Sequence, residues 1–167
     1  DLLVKELRIH QIISRILTSR RILSTEDASR YLSPSLNDLH NPLLMKDMQK
    51  GVQRLTGAIY NREKIVIYGD YDADGVTSVV VLLKFLMEIG HNVTYYIPDR
   101  IKDGYGLNKP AIDRMKADNV KLIVTVDCGI SDHDQISYAR TLGIDTIILD
   151  HHEVPINLPE AIAIINQ

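Results

Sequence analysis

One cysteine is present in 167 residues, and a lone Cys128 excludes an internal disulfide. That fits a reducing compartment. No uninterrupted apolar run approaches the roughly eighteen residues that a bilayer-spanning helix needs. No basic-then-apolar leader stands at the start of the sequence, so the expectation is a cytoplasmic protein with no membrane segment. An excess of charge of either sign is also missing. Lys and Arg number 19 and Asp and Glu 22, for a net charge of −3. This argues against a broadly basic nucleic-acid-binding surface and leaves room for a local groove. No internal repeat, low-complexity tract or Cys-rich pattern occurs, and the last absence argues against structural zinc. What remains is an ordinary globular balance, 45% hydrophobic and 25% charged. It suffices for one domain with a sizeable core, or one domain and a small appendage.

The chain divides into two patterns. Residues 1–63 read as helical. Leu3, Leu7, Ile12, Ile13, Ile16 and Leu17 recur at helical spacing. Ser24 with Asp27 resembles a capping box that opens a short helix ending at Leu32. The stretch Ser33 to Leu44 is turn-rich, with Pro34 and Pro42. Met45, Met48, Val52, Leu55 and Ile59 then step by threes and fours along a longer helix, a core stripe. From Lys64 short apolar runs alternate with amphipathic segments. Strands are expected at 64–68, 92–97, 121–126 and 144–149, and helices at 76–89, 108–116 and 131–142. Such alternation predicts an α/β fold, a parallel sheet with helices on both faces, preceded by the helical N-terminal segment packing on it. The run Ala161 to Ile165 reads as one more strand without its continuation, and the sequence starts at Asp1 without a methionine. A piece of a longer protein is therefore expected.

Chemistry gathers after the strands. The first is followed by Asp70, Asp72 and Asp74, the second by Asp99 and Arg100, the third by Asp127 and the fourth by Asp150, His151 and His152. Ligands in open parallel sheets bind beyond the carboxyl ends of the strands. Taken singly, an aspartate after a strand is often only a helix N-cap, and His10, His40, His91 and His133 read as surface or hydrogen-bonded residues. Taken together, the first, third and fourth strand ends would bring five carboxylates and two imidazoles to one crevice. Their repulsion needs an offset, and divalent cations supply one. The alternate spacing of Asp70, Asp72 and Asp74 suggests an extended stretch whose side chains point one way, with Gly75 turning the chain into the helix. Oxygen donors suit Mg²⁺, Mn²⁺ or Ca²⁺, and imidazole shifts the preference toward Mn²⁺. Two ions about 3.5–4 Å apart would suit attack of water on phosphorus. A P-loop is excluded because no Gly-Lys-Ser/Thr follows. An EF-hand is excluded because Val81 stands where its final glutamate belongs.

DYDADG (70–75), VDCG (126–129) and DHH (150–152), in that order after successive strands, resemble motifs I to III of the DHH phosphoesterase superfamily. The segments 33–55 and 97–108 are similar to those of its bacterial members that digest single-stranded DNA. The resemblance implies Asp72, Asp74, Asp127 and His151 as metal ligands, with Asp127 bridging two ions of Mn²⁺ or Mg²⁺. It implies His152 as a helper at the scissile phosphate, and Asp70 and Asp150 as residues that orient ligands. Arg100 is expected to pair with a phosphate and Tyr105 to stack on a base. The implied activity is 5′→3′ exonuclease digestion of single-stranded DNA to 5′-mononucleotides in repair and recombination. A single-strand-binding protein and a helicase are the implied partners. Cys128 stands where those members commonly have Asn, and the motif IV aspartate and the DNA-binding domains of the family do not appear. Three alternatives remain. One is a relative that cleaves short oligonucleotides or cyclic dinucleotides, although such relatives carry histidine at the place of Tyr68. Another is a non-catalytic scaffold relative. The last is a Rossmann-like domain with acidic caps.

Overall fold

The computed structural model describes residues 2–166. Two compact units divide between Asn41 and Pro42. The boundary thus falls earlier than the change of sequence pattern at Lys64, because the long amphipathic helix packs with the sheet.

The first unit contains α1 (Leu2–Leu7), α2 (Gln11–Ser19) and α3 (Thr25–Leu32). The apolar spacing that reads as continuous is broken at Arg8, whose φ is 52°. His10 then caps α2, its Nδ1 accepting from the Ile12 N–H. Ser24 caps α3 by accepting from the Asp27 N–H at 3.0 Å, as the sequence suggests. Leu3, Leu17 and Ala28 form the small core of this unit. Ile12 and Ile16, which share the helical spacing, are half or more exposed.

The second unit runs in the order α4 (Met48–Tyr60), β1 (Lys64–Gly69), α5 (Ala73–Glu88), β2 (Val93–Tyr96), α6 (Lys109–Ala117), β3 (Val120–Val126), α7 (His133–Thr141), β4 (Asp145–Asp150) and β5 (Ala163–Asn166). The strands form one parallel sheet in the order β2-β1-β3-β4-β5. Strand residues alternate between two cores. Val66, Tyr68, Ile123, Ile148 and Ile164 meet Ile112, Met115 and Ile136 of α6 and α7. Ile65, Leu122, Val124, Ile147 and Ile165 meet Ala58 and Leu55 of α4, while Ile67 and Val126 pack with Val79 and Leu86 of α5. The sheet is therefore apolar on both faces, which is why its strands read as near-continuous hydrophobic runs. The expected α/β architecture with helices on both faces and helices before it is the one observed.

Register brings the strand ends level. Gly69 is paired with Val126 and Val126 with Leu149. The next residue of each chain is Asp70, Asp127 or Asp150. The chain runs outward in opposite directions from β1 and β3, so their ends flank the topological switch point, where such sheets open a crevice.

Candidate metal centre

The aspartates after β1 do not continue the strand as their spacing suggests. The helix α5 begins at Ala73, earlier than expected, so Asp72 is its N-cap and Asp74 lies in its first turn. One oxygen of Asp72, Oδ1, accepts from the N–H groups of Asp74 and Gly75, both at 3.0 Å. The Gly75 N–H above all holds the Asp72 carboxyl below its usual range. This early helix start needs glycine. A Cβ on Gly75 would stand 2.5–2.7 Å from the backbone O, N and C of Asp70. Capping thus replaces the extended geometry, because the orphan N–H groups of the helix take the nearest carboxylate.

Asp127 follows β3 with φ 61°, a left-handed conformation uncommon outside glycine. It is not a helix cap; that place at α7 belongs to Asp132. Its N–H donates to the Leu149 carbonyl, which extends the pairing of β3 with β4 by one residue. The carboxylate is buried, and Oδ1 lies 2.8 Å from Nε2 of His151. Burial pushes its pKa up, His151 draws it down, and Asp72 pushes it up again.

Asp150 organises the third loop. Its side chain is fully enclosed. Oδ2 accepts from the Ile130 N–H at 3.0 Å, tying the turn after β3 to the end of β4. Oδ1 accepts from the His151 and His152 N–H groups and sits 2.7 Å from Nδ1 of His152. Burial opposes its ionisation, yet the donors, Ile130 first, hold its pKa below the ordinary value. The same contact raises the pKa of His152. With Nδ1 donating to Asp150, Nε2 of His152 is left as the free ring nitrogen.

These loops bring donors together in two groups. Asp70, Asp72 and Asp127 offer carboxylate oxygens within 4.8 Å of one another, and so do Asp127, His151 and His152 with their ring nitrogens. Asp127 belongs to both. Asp74, expected as a ligand, belongs to neither and is exposed; Asp70, expected to orient ligands, stands within the first group. Asp150 lies outside both groups, engaged by backbone donors. Arg100 lies with its guanidinium carbon 5.4 Å from the centre of the Tyr71 ring, beside the first loop. Tyr105 meets His152 edge-on at 6.1 Å. These two rings with Ser131 and Asp132 border a cavity of about 200 Å³. A second, mainly apolar groove leads from Asp127 along Thr77, Val81 and Phe85 of α5. Sequence reasoning missed Asp132, whose Oδ2 accepts from the Leu107 N–H. Its position before an amphipathic run is an N-cap signal that was open to reading. Cys128 is buried.

The donor chemistry fits hard or borderline divalent cations. Oxygen dominates one group and imidazole enters the other, which is the mixture that Mg²⁺ and Mn²⁺ accept. No helix of the described residues is long and apolar enough to cross a membrane.

The chain has relatives among known proteins. The DHH family, N-terminal domain, matches residues 64–167. The single-stranded-DNA-specific exonuclease RecJ of Bacillus subtilis is 42% identical over 98% of this chain and 21% of its own length. The exonuclease of the same name from Escherichia coli is 36% identical over 93% of the chain and 26% of its own length. The chain thus spans about a fifth to a quarter of these curated relatives. A crystal structure of exonuclease RecJ bound to manganese superposes with a TM-score of 0.70 at 29% identity, covering 77% of this chain and 33% of that one. RecJ from Thermus thermophilus in complex with Mn²⁺ reaches 0.76 over 98% of this chain and 22% of its own, at 22% identity, a likeness of fold.

Proposed function

Because the chain belongs to the DHH family, we propose that it forms the metal-binding part of a nuclease that hydrolyses phosphodiester bonds of single-stranded DNA. One observation carries this reading: two three-donor groups share the buried carboxylate of Asp127. That arrangement supports a pair of divalent ions, Mn²⁺ or Mg²⁺, held by Asp70, Asp72, Asp127, His151 and His152. Asp74 would join them only if its first-turn side chain turned inward. Bound there, such ions acidify water and neutralise phosphate charge.

The chain's own residues supply positioning. Asp72 spends one oxygen on α5 and keeps the other for a ligand role. Asp150 engages the His152 ring through Nδ1, which would leave Nε2 for a phosphate or cation. Arg100, beside the Tyr71 ring, would pair with a phosphate, and Tyr105 would stack on a base. Digestion in the 5′→3′ direction to 5′-mononucleotides, a role in repair and recombination, and a single-strand-binding protein and helicase as partners rest on the motif resemblance alone.

Calorimetric titration of Mn²⁺ into the protein carrying this chain, paired with digestion of a labelled single strand, tests the proposal. The expected result is metal binding and strand loss, both abolished by Asp127→Asn. Metal binding without digestion of any strand, but with turnover of dinucleotides, would favour a small-substrate relative. A folded protein that binds no Mn²⁺ would point to a scaffold.

A further inference from the structure

The segment between β2 and α6 is fastened at both ends. At its start, Asp99 Oδ1 accepts from the Ile101 and Lys102 N–H groups, and Asp103 Oδ2 accepts from the Asp99 N–H and the Tyr96 hydroxyl. At its finish, the Tyr68 hydroxyl donates to the Gly106 carbonyl at 3.0 Å and accepts from Asn108 Nδ2 at 3.1 Å. Leu107 N–H donates to Asp132 Oδ2 at 3.0 Å from the other side. Gly106 has φ 79°, and a Cβ there would lie 2.6 Å from Asp132 Oδ1. Between the two fastenings Tyr105 stands 52% exposed, against His152 and the 200 Å³ cavity.

Tyr68 itself is wholly buried in β1, its ring tilted against that of Tyr96 with centroids 5.1 Å apart. Its hydroxyl reaches the Tyr105 loop and is in neither donor group. A phenol buried this deeply must satisfy its hydroxyl, and both of its partners belong to the loop end.

We propose that Tyr68 is a positioning residue, whose hydroxyl sets the height of the Tyr105 loop over His152 and so strengthens the grip on a polynucleotide strand. This rests on the nuclease reading above and names its determinant of strand binding. Tyr68→Phe keeps the packed ring and removes both hydrogen bonds.

The test compares wild type, Tyr68→Phe, Tyr105→Ala and the double variant on a single-stranded oligonucleotide with Mn²⁺. Amide hydrogen exchange is followed at residues 105–108. Tyr68→Phe should raise KM about fivefold or more, the low end of what two lost hydrogen bonds are worth, with a smaller change in kcat. Exchange at the loop should quicken. In the Tyr105→Ala background, Tyr68→Phe should add nothing to KM, since it acts through that ring. Gly106→Ala should shift KM in the same direction and serves if Tyr68→Phe folds poorly. An unaltered KM with unaltered loop exchange, or additive effects of the two tyrosine variants, overturns the proposal. A wild type that digests no strand sinks the nuclease reading instead, and loop exchange then still decides whether Tyr68 holds the loop.

Discussion

Asp127→Asn should make the protein more stable without metal and less stable with it. Asp127 is buried, holds a left-handed φ, and lies within ligand distance of Asp70 and Asp72. Asparagine keeps the shape, tolerates the left-handed region better, and leaves Oδ1 able to accept from His151. What it removes is a buried charge among like charges, a change worth about 1–2 kcal/mol after screening. The weakened contact with His151 returns about 0.5 kcal/mol of that. A net gain of about 1 kcal/mol in chelator corresponds to a Tm rise of about 2–4 °C at this chain length. The advantage should depend on pH. Burial raises the Asp127 pKa, so the folded state binds that proton more tightly than the unfolded chain does. Wild type therefore gains relative stability as pH falls, and the variant's lead should shrink through the carboxylate range. In Mn²⁺ at a hundred times its Kd, wild type should gain about 2.7 kcal/mol, and the variant little or nothing. Thermal unfolding followed by circular dichroism, in chelator and in Mn²⁺, gives all four midpoints. A variant that folds natively yet melts below wild type in chelator would refute the argument that these carboxylates repel, and an equal Mn²⁺ shift would refute the role of Asp127.

Three other outcomes are expected. Asp150→Ala strands the buried N–H of Ile130 and removes the acceptor of the part-buried His151 and His152 N–H groups, at a cost of about 2 kcal/mol, visible as a lower urea midpoint. Asp47→Asn should cost about 0.5–1 kcal/mol at neutral pH. Lys50 holds the Asp47 pKa down, so its contribution is present above the unfolded pKa and lost as pH falls through the folded one; urea midpoints of the two proteins should converge in acid. Gly75→Ala would stabilise an ordinary helix by about 1 kcal/mol; here its Cβ meets the Asp70 backbone, so urea unfolding should show a loss and calorimetry a weaker Mn²⁺ affinity.

Much of the fold was legible because each strand is buried on both faces, and continuous apolar runs between amphipathic segments have few other solutions. The capping of α3 by Ser24 was legible too, since a cap is a local bond. The stripe of α2 was less so. Ile12 and Ile16 have the right spacing but stand exposed, and periodicity alone does not say which face finds a partner. The packing of α4 was not legible either: it carries a helical pattern like the segment before it, while its place with the sheet is decided by Leu55 and Ala58.

The amino-acid order by itself determined that acidic and imidazole groups follow successive strands, because strand ends and their next residues are local facts. Only the tertiary structure decided which of them meet. The competition for orphan N–H groups made Asp72 a cap and sent Asp74 into a helical turn, and strand register set Asp127 between its neighbours. The role of Tyr68 was equally hidden, because its hydroxyl finds partners at Gly106 and Asn108, which are distant in sequence and adjacent only once the sheet is built.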